Sequence, residues 1–393
     1  MTSTFNVVDY KAIGDGIKDD SNAFIQAWEA VCRANTSTTP TFIIPSGKTF
    51  LLKPVEFQGP CNASNIHVLV LGNIVAPNDI SGYVKNEEID DKWLGFSNVT
   101  GLVVDGSGLI DGQGSIWWAS KACKNVKVRN CNRPTALRFH ECNGLRLSGL
   151  RHVNSPKNHL SIFQCNDVII SGLHITAPEE SPNTDGINIA QSSHIQIKDS
   201  FIGTGDDCIA INGGSSFIKI TNVSCGPGHG ISVGSLGADG TKESVEGVYV
   251  RNCSFNGTTN GLRIKTWQGG SGYARNIYFQ QIKLKAVANP IIINQFYCNT
   301  GHGCKIQVSK LTMLIYTASA VKVSNVTFSG VQGTSITDEA VQLSCSKTVG
   351  CSDIVLNQIN ITSEIEGKKT NSSCSNAQGK CINCYPPVPC LLE

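Results

Sequence analysis

Short stretches of this chain alternate apolar and polar residues and then stop at Gly, Asn or Asp. Segments of this form open at Leu145, Val168, Ile195, Ile218, Val248 and Ile277, which are 23, 27, 23, 30 and 29 positions apart. Val68-Leu69-Val70-Leu71-Gly72 and Val321-Lys322-Val323-Ser324-Asn325-Val326 read as further copies. A period in the twenties, with one to three short strands and turn residues per repeat, predicts a right-handed parallel β-helix of about ten coils. Leucine-rich repeats share the period but need a Leu and Asn spacing that is missing here. A β-propeller needs a period of about 40 or more.

One segment breaks the pattern. Phe24, Ile25, Trp28 and Val31 fall at helical spacing behind Asp20 or Ser21 as N-cap. A short helix near the N-terminus suits a stacked array, whose open end must be covered. The prediction is therefore an all-β chain forming a single domain, residues 1–393. An N-terminal cap spans about 1–60 and a Cys-rich C-terminal cap about 370–393. No Pro- or Ser-rich linker divides it.

Composition supports this picture. The 393 residues include 39 Gly and only 2 Met, with 40% hydrophobic and 16% charged residues, a mix that argues against disorder. The net charge of +2 leaves no general basic field for nucleic acid, so an anionic ligand would need a local cluster. No apolar run is long enough to span a membrane. Seventeen Cys, an odd number, imply a disulfide framework with at least one thiol left over. Close pairs are Cys123 with Cys131, Cys298 with Cys304, and Cys345 with Cys351. In the tail, Cys381 and Cys384 are expected to belong to two different disulfides rather than to a zinc site. Nine N-x-S/T sequons, at Asn35, Asn62, Asn98, Asn222, Asn252, Asn256, Asn325, Asn360 and Asn371, add to the case for secretion. Met1-Thr2-Ser3-Thr4-Phe5 runs straight into a strand-like segment, so a secretory signal is expected to have been removed.

Consecutive repeats then deliver reactive side chains at one phase. Asn183-Thr184-Asp185 comes first, followed by Gly205-Asp206-Asp207, Gly228-His229-Gly230 and Arg263-Ile264-Lys265. Equal phase in a stacked helix means neighbouring coils, about 4.8 Å apart. Three carboxylates in one groove suit glycosidic hydrolysis, where an acid protonates the leaving oxygen and a base activates water. Like-charged neighbours should raise the pKa of one carboxyl. His229 can hydrogen-bond a carboxyl. Arg263 and Lys265, two apart on a strand, point the same way and can clamp a sugar carboxylate. Each motif alone has a plainer reading: turn Asp residues, a calcium-binding Asp pair, a loop His, a solvated Arg-x-Lys face. Asp206 and Asp207 also share a groove only if one of them sits in a turn.

The four motifs, in this order and spacing, resemble the signatures of polygalacturonases, glycoside hydrolase family 28. Tyr10 to Asp20, Asp111-Gly112-Gln113-Gly114 with Trp117-Trp118, Asn154-Ser155-Pro156, and Asn289-Pro290 with Tyr297-Cys298 also fit the plant enzymes. The resemblance implies inverting hydrolysis of α-1,4-galacturonan with no metal or other cofactor and an acidic optimum near about pH 5. It implies Asp206 as general acid, Asp185 and Asp207 holding and deprotonating the water, and His229 supporting the acid. Arg263, Lys265 and Tyr297 would hold the galacturonate carboxylate, and Asn183 the sugar. It further implies a secreted, monomeric enzyme of the plant cell wall that meets homogalacturonan and wall-associated inhibitor proteins. Asn294, Asn188 and Lys11 depart from the usual Asp, His and Gly. The stretch Gly257 to Gly272 favours endo action; exo action, a calcium-dependent pectate lyase and a non-catalytic wall-binding protein are the alternatives.

Overall fold

The computed structural model describes residues 3–35, 37–85, 88–119, 132–298 and 321–391. The fold is a parallel β-helix. Its residues form two compact units, one of Met1–Asn188 with Ser192–Asp206, the other of Ile189–Gln191 with Asp207–Glu393.

In the first unit, inward side chains stack from coil to coil in parallel register. One column runs Phe42, Val68, Val104, Leu147, Ile170, Ile197. A second runs Phe50, Ile74, Ile110, His152, Ile175, Ile202. A third runs Phe57, Phe96, Phe139, Ile162. β-Branched and aromatic residues fit such half-buried pleats, and stacking removes their surface from water. The second unit repeats the scheme, with Ile220, Val250, Phe279, Phe328 and Leu356 in one column and Ile211, Val233, Ile264, Ile293 and Leu343 in another.

The expected phase holds within each unit. Val168 pairs with Ile195, and Ile218, Val248 and Ile277 lie in one row. The later copy starts further on than expected: Ile277 pairs with Val326, not Val321.

The helix is Ser21–Cys32. Phe24 sits edge-on to Phe42 and Phe50, and Trp28 meets Phe42, Phe57 and Phe96, so the helix covers the start of all three columns. Two expectations fail here. Ile25 is 37% exposed, off the buried face. Asp20 is the N-cap residue, but its carboxylate accepts from the Ile13 and Gly14 amides at 2.7 and 2.9 Å, tying the preceding loop instead of the helix.

Disulfides join Cys32 to Cys61, Cys208 to Cys225, Cys345 to Cys351, Cys374 to Cys390 and Cys381 to Cys384. The Cys345 pairing is as expected. Cys381 and Cys384 pair with each other, not with separate partners. Cys298 is disulfide-bonded, while Cys123, Cys131 and Cys304 lie outside the described residues. Cys142, Cys165 and Cys253 are buried free thiols. Burial pushes the Cys142 thiol up to about 12 and those of Cys165 and Cys253 to about 11.

Candidate active site

Within the first unit, a tight turn holds the first motif. The buried hydroxyl of Thr184 donates to the Ser181 carbonyl at 3.0 Å and accepts from the Gly205 amide at 3.0 Å. One side chain thereby fixes two motifs 21 residues apart. Gly205 has no room for a side chain, since a Cβ would stand 2.1 Å from the Ser181 carbonyl oxygen. Asn183, in the left-handed region at φ 60°, donates from Nδ2 to Asp206 Oδ2 at 3.3 Å. Asp185 and Asp206 are both half-buried. The carbonyl of Asp185 accepts from His159, a fully buried residue that the sequence reading passed over. Asp206 and Asp207 lie in a bend between the strands Ser193–Gly203 and Ile209–Ile211, where strand alternation does not apply.

The second unit is built around Asp207, whose side chain is 1% exposed. Oδ1 accepts from the Ser232 hydroxyl at 2.8 Å and from Arg263 Nη2 at 2.6 Å, while Oδ2 accepts from Lys265 Nζ at 2.8 Å. Arg263 Nε donates to the same Ser232 hydroxyl at 2.9 Å, so Ser232 relays between cation and anion. Parallel register explains the grouping, because Ser232 and Arg263 are direct partners on the adjacent strands Ile231–Leu236 and Asn260–Trp267. Burying a carboxylate costs several kcal/mol unless it is paired and hydrogen-bonded, and here both oxygens are satisfied. Lys265 Nζ lies 5.3 Å from the Tyr297 ring centre, a cation–π contact, and Trp267 packs edge-on against Tyr297 at 5.4 Å.

Glycines set the third motif. Gly230 has φ 76°, and a Cβ there would meet the Asn260 carbonyl oxygen at 2.1 Å. The His229 carbonyl accepts from Asn260 Nδ2 at 3.3 Å. A carboxylate oxygen of Asp207 and a ring nitrogen of His229 lie within 4.8 Å of each other. The structure therefore groups Asp207, His229, Arg263, Lys265 and Tyr297 in one unit and Asn183, Asp185 and Asp206 in the other. Ser232 and His159 are supporting residues that no motif announced, and Thr184, inside the first motif, carries a supporting role that the motif did not assign.

Among the described residues, the arrangement leaves cationic donors to spare. An Arg offers five N–H groups and a Lys three, and Asp207 and Ser232 occupy two of the first and one of the second. A second carboxylate can be held beside Asp207 without breaking these pairs.

The family model described as "Glycosyl hydrolases family 28" matches residues 32–384. The chain is 47% identical over 392 residues to a protein of Arabidopsis thaliana named as a probable polygalacturonase, covering 99% of this chain and 81% of that one. It is 45% identical to a polygalacturonase of Persea americana, covering 94% of this chain and 76% of the relative. Among solved structures, endo-xylogalacturonan hydrolase from Aspergillus tubingensis is similar in fold, with TM-score 0.77, 24% identity and coverage of 95% and 97%. An exopolygalacturonase from Thermotoga maritima has TM-score 0.71, 21% identity and coverage of 91% and 88%.

Proposed function

The chain belongs to glycosyl hydrolase family 28, and from that premise we propose how its residues act. It is a polygalacturonase, a glycoside hydrolase that cleaves the α-1,4-galacturonosidic bonds of pectin. We read the reaction as a single inverting displacement. Asp206 donates its proton to the leaving glycosidic oxygen as the bond from that oxygen to the anomeric carbon breaks. Water attacks the same carbon from the opposite face, and Asp185 and Asp207 hold it and take up its proton. His229 supports the protonation of Asp206, and Asn183 orients the acid while contacting the sugar. Arg263 and Lys265, with Tyr297 behind them, hold the galacturonate carboxylate next to the cleaved bond.

The observation that carries this reading is the anchoring of Asp207. Its oxygens are fixed by Ser232, Arg263 and Lys265, and those same two cations keep free donors for a substrate carboxylate. A galacturonan supplies one carboxylate per sugar unit.

Endo action, a monomeric state, recognition by wall-associated inhibitor proteins and work outside the cell in the plant wall complete the proposal. Residues 1–393 are read as one catalytic domain because the four motifs are divided between the two units, with the helix region to about residue 60 and the tail from about residue 370 as caps. Among the described residues, no helix is long and apolar enough to cross a membrane.

The test is to incubate polygalacturonate with wild type and Asp206→Asn in the presence of a chelator, and to measure reducing ends and product sizes. Saturated products of mixed length, lost in the variant, are expected. Release of monomer alone would replace endo by exo action. An intact polymer with folded wild-type protein would overturn the hydrolase reading and leave a calcium-dependent lyase, which the chelator silences, or a binding protein. Unsaturated, ultraviolet-absorbing products on adding calcium in place of the chelator would point to the lyase.

A further inference from the structure

The face that carries Arg263 and Lys265 continues on the next strands of the same unit, and its charge changes there. On the strand Asn289–Tyr297, Ile292 is the direct partner of Arg263 and Asn294 that of Lys265. On the strand Glu339–Ser344, Gln342 and Ser344 occupy the corresponding places. Partners in a parallel register point to the same side. The residues between them, Ile291, Ile293, Val341 and Leu343, are buried inside the coil.

The two coils after the cationic one therefore present an aliphatic side chain, two carboxamides and a hydroxyl. Ile292 is 9% exposed, and its neighbours on this strip are half-buried. Among the described residues, these outward positions hold no cation. On the far side of Gln342 stands an anion: the Glu339 carboxylate accepts from the Ser373 hydroxyl, and Ser373 is the partner of Gln342 on the following strand. Lys347 lies past the end of its strand in an exposed turn. Asn294 turns its carbonyl oxygen back to the Phe296 amide at 2.8 Å.

Successive coils are about 4.8 Å apart, close to the advance of one sugar along a 1,4-linked galacturonan. We infer that the second and third sugars on the Arg263–Lys265 side of the cleaved bond are accepted as methyl-esterified galacturonosyl units, whereas the first must carry a free carboxylate. This rests on the polygalacturonase reading given above. A free carboxylate on the strip would find an aliphatic floor, neutral dipoles and Glu339 beyond them. The methyl ester carries no charge to desolvate or repel, and its methyl group can lie against Ile292. The ester thus costs nothing where no cation waits, and it forfeits charge-assisted hydrogen bonds where Arg263 and Lys265 stand.

The test uses galacturonate hexamers carrying one methyl ester at a known position, with the unesterified hexamer as control and product masses locating each cut. An ester on the first sugar should lower kcat/KM by roughly a hundredfold, and one on the second or third sugar by less than about threefold. Ile292→Lys and Gln342→Lys should each raise the preference for acid over ester at the second and third sugar respectively, by roughly tenfold. Esters at those positions that slow cleavage as strongly as one on the first sugar would overturn the inference while leaving the enzyme reading intact. So would lysine variants that fold and cut the control yet leave the acid-to-ester ratio unmoved. Failure of wild type to cut the unesterified hexamer would overturn the polygalacturonase reading and this inference with it.

Discussion

The carbonyl oxygen of Asp185 accepts two hydrogen bonds from one residue, from the His159 main-chain amide at 2.8 Å and from its ring Nδ1 at 3.1 Å. The tautomer follows from the other side of the ring. Nε2 accepts from the Ser155 amide at 3.3 Å, so the proton sits on Nδ1. Burial depresses the His159 pKa to about 4, which keeps the ring neutral and this assignment fixed at any mildly acidic pH. His159 is thus a positioning residue that sets the backbone from which the Asp185 carboxylate projects.

Replacing it tests that role. His159→Phe keeps the bulk and removes the ring bond, and a displacement of Asp185 of under an ångström is enough to cost about tenfold to a hundredfold in kcat. KM should change little, because the hydrogen bonds of His159 do not involve Arg263 or Lys265, the cations proposed to hold the substrate. Steady-state kinetics on polygalacturonate, with circular dichroism as the folding control, decides it; a rise in KM with kcat intact would assign His159 to binding instead.

His152 is the odd member of the column Ile110, His152, Ile175, and both its ring nitrogens are buried without a partner among the described residues. Burial, with the nearby His159 adding to it, lowers its pKa to about 3. In the unfolded chain it takes up a proton below about pH 6.5, whereas in the folded state it stays neutral down to about 3. Stability is therefore complete above about 6.5 and falls as pH drops toward 3, the range in which this enzyme is expected to work. His152→Leu removes the proton linkage. Denaturant titration should show it gaining on wild type by about 2–3 kcal/mol more at pH 4.5 than at pH 7. An equal gain at both pH values would refute the linkage.

The Asp207 cluster predicts a non-additive pair. Lys265→Met leaves a buried carboxylate short of one of its two cations and should cost about 3 kcal/mol of stability. Adding Asp207→Asn to that variant removes the charge and should restore most of the stability, yet activity stays lost because both functional groups are gone. Urea midpoints of the two single variants and the double variant, read as a cycle, check this; simple additivity would mean that the ion pair is not coupled.

The repeat was legible because its strands recur in register, but the cationic motif lies off the phase expected of it: Arg263 is the partner of Ser232, three positions after His229. The supporting residues were not legible. Ser232 acts through an ordinary hydroxyl and His159 on a main-chain carbonyl, so neither composition nor spacing marks them; Thr184 lies inside a motif, but its hydroxyl's bond to the Gly205 amide is visible only in the fold. The late copy was misplaced by five residues because the strand Lys322–Ser335 is 14 residues long and its alternation has no marked start. Cys32 with Cys61 and Cys208 with Cys225 are 29 and 17 residues apart, and the coil path brings them together, which a search for close pairs misses.

Lys11 shows a sequence departure with a measurable cost. It stands where the family resemblance leads one to expect Gly, and the backbone there is left-handed, with φ 74°. Its amide closes the short helix Val7–Tyr10 by donating to the Val8 carbonyl at 3.1 Å, so the conformation is imposed by the turn. An L-residue with a long side chain pays about 1 kcal/mol or more to sit in that region, which Gly visits freely, although Gly gives back part of this through its more flexible unfolded chain. The Lys11 side chain is exposed, so little packing is lost with it. Lys11→Gly should therefore stabilise the protein by about 0.5–1 kcal/mol, while Lys11→Ala, which keeps the Cβ, should not. Thermal melts of the three proteins separate the backbone effect from the loss of the charge, and an equal response of the Gly and Ala variants would put the effect on the side chain.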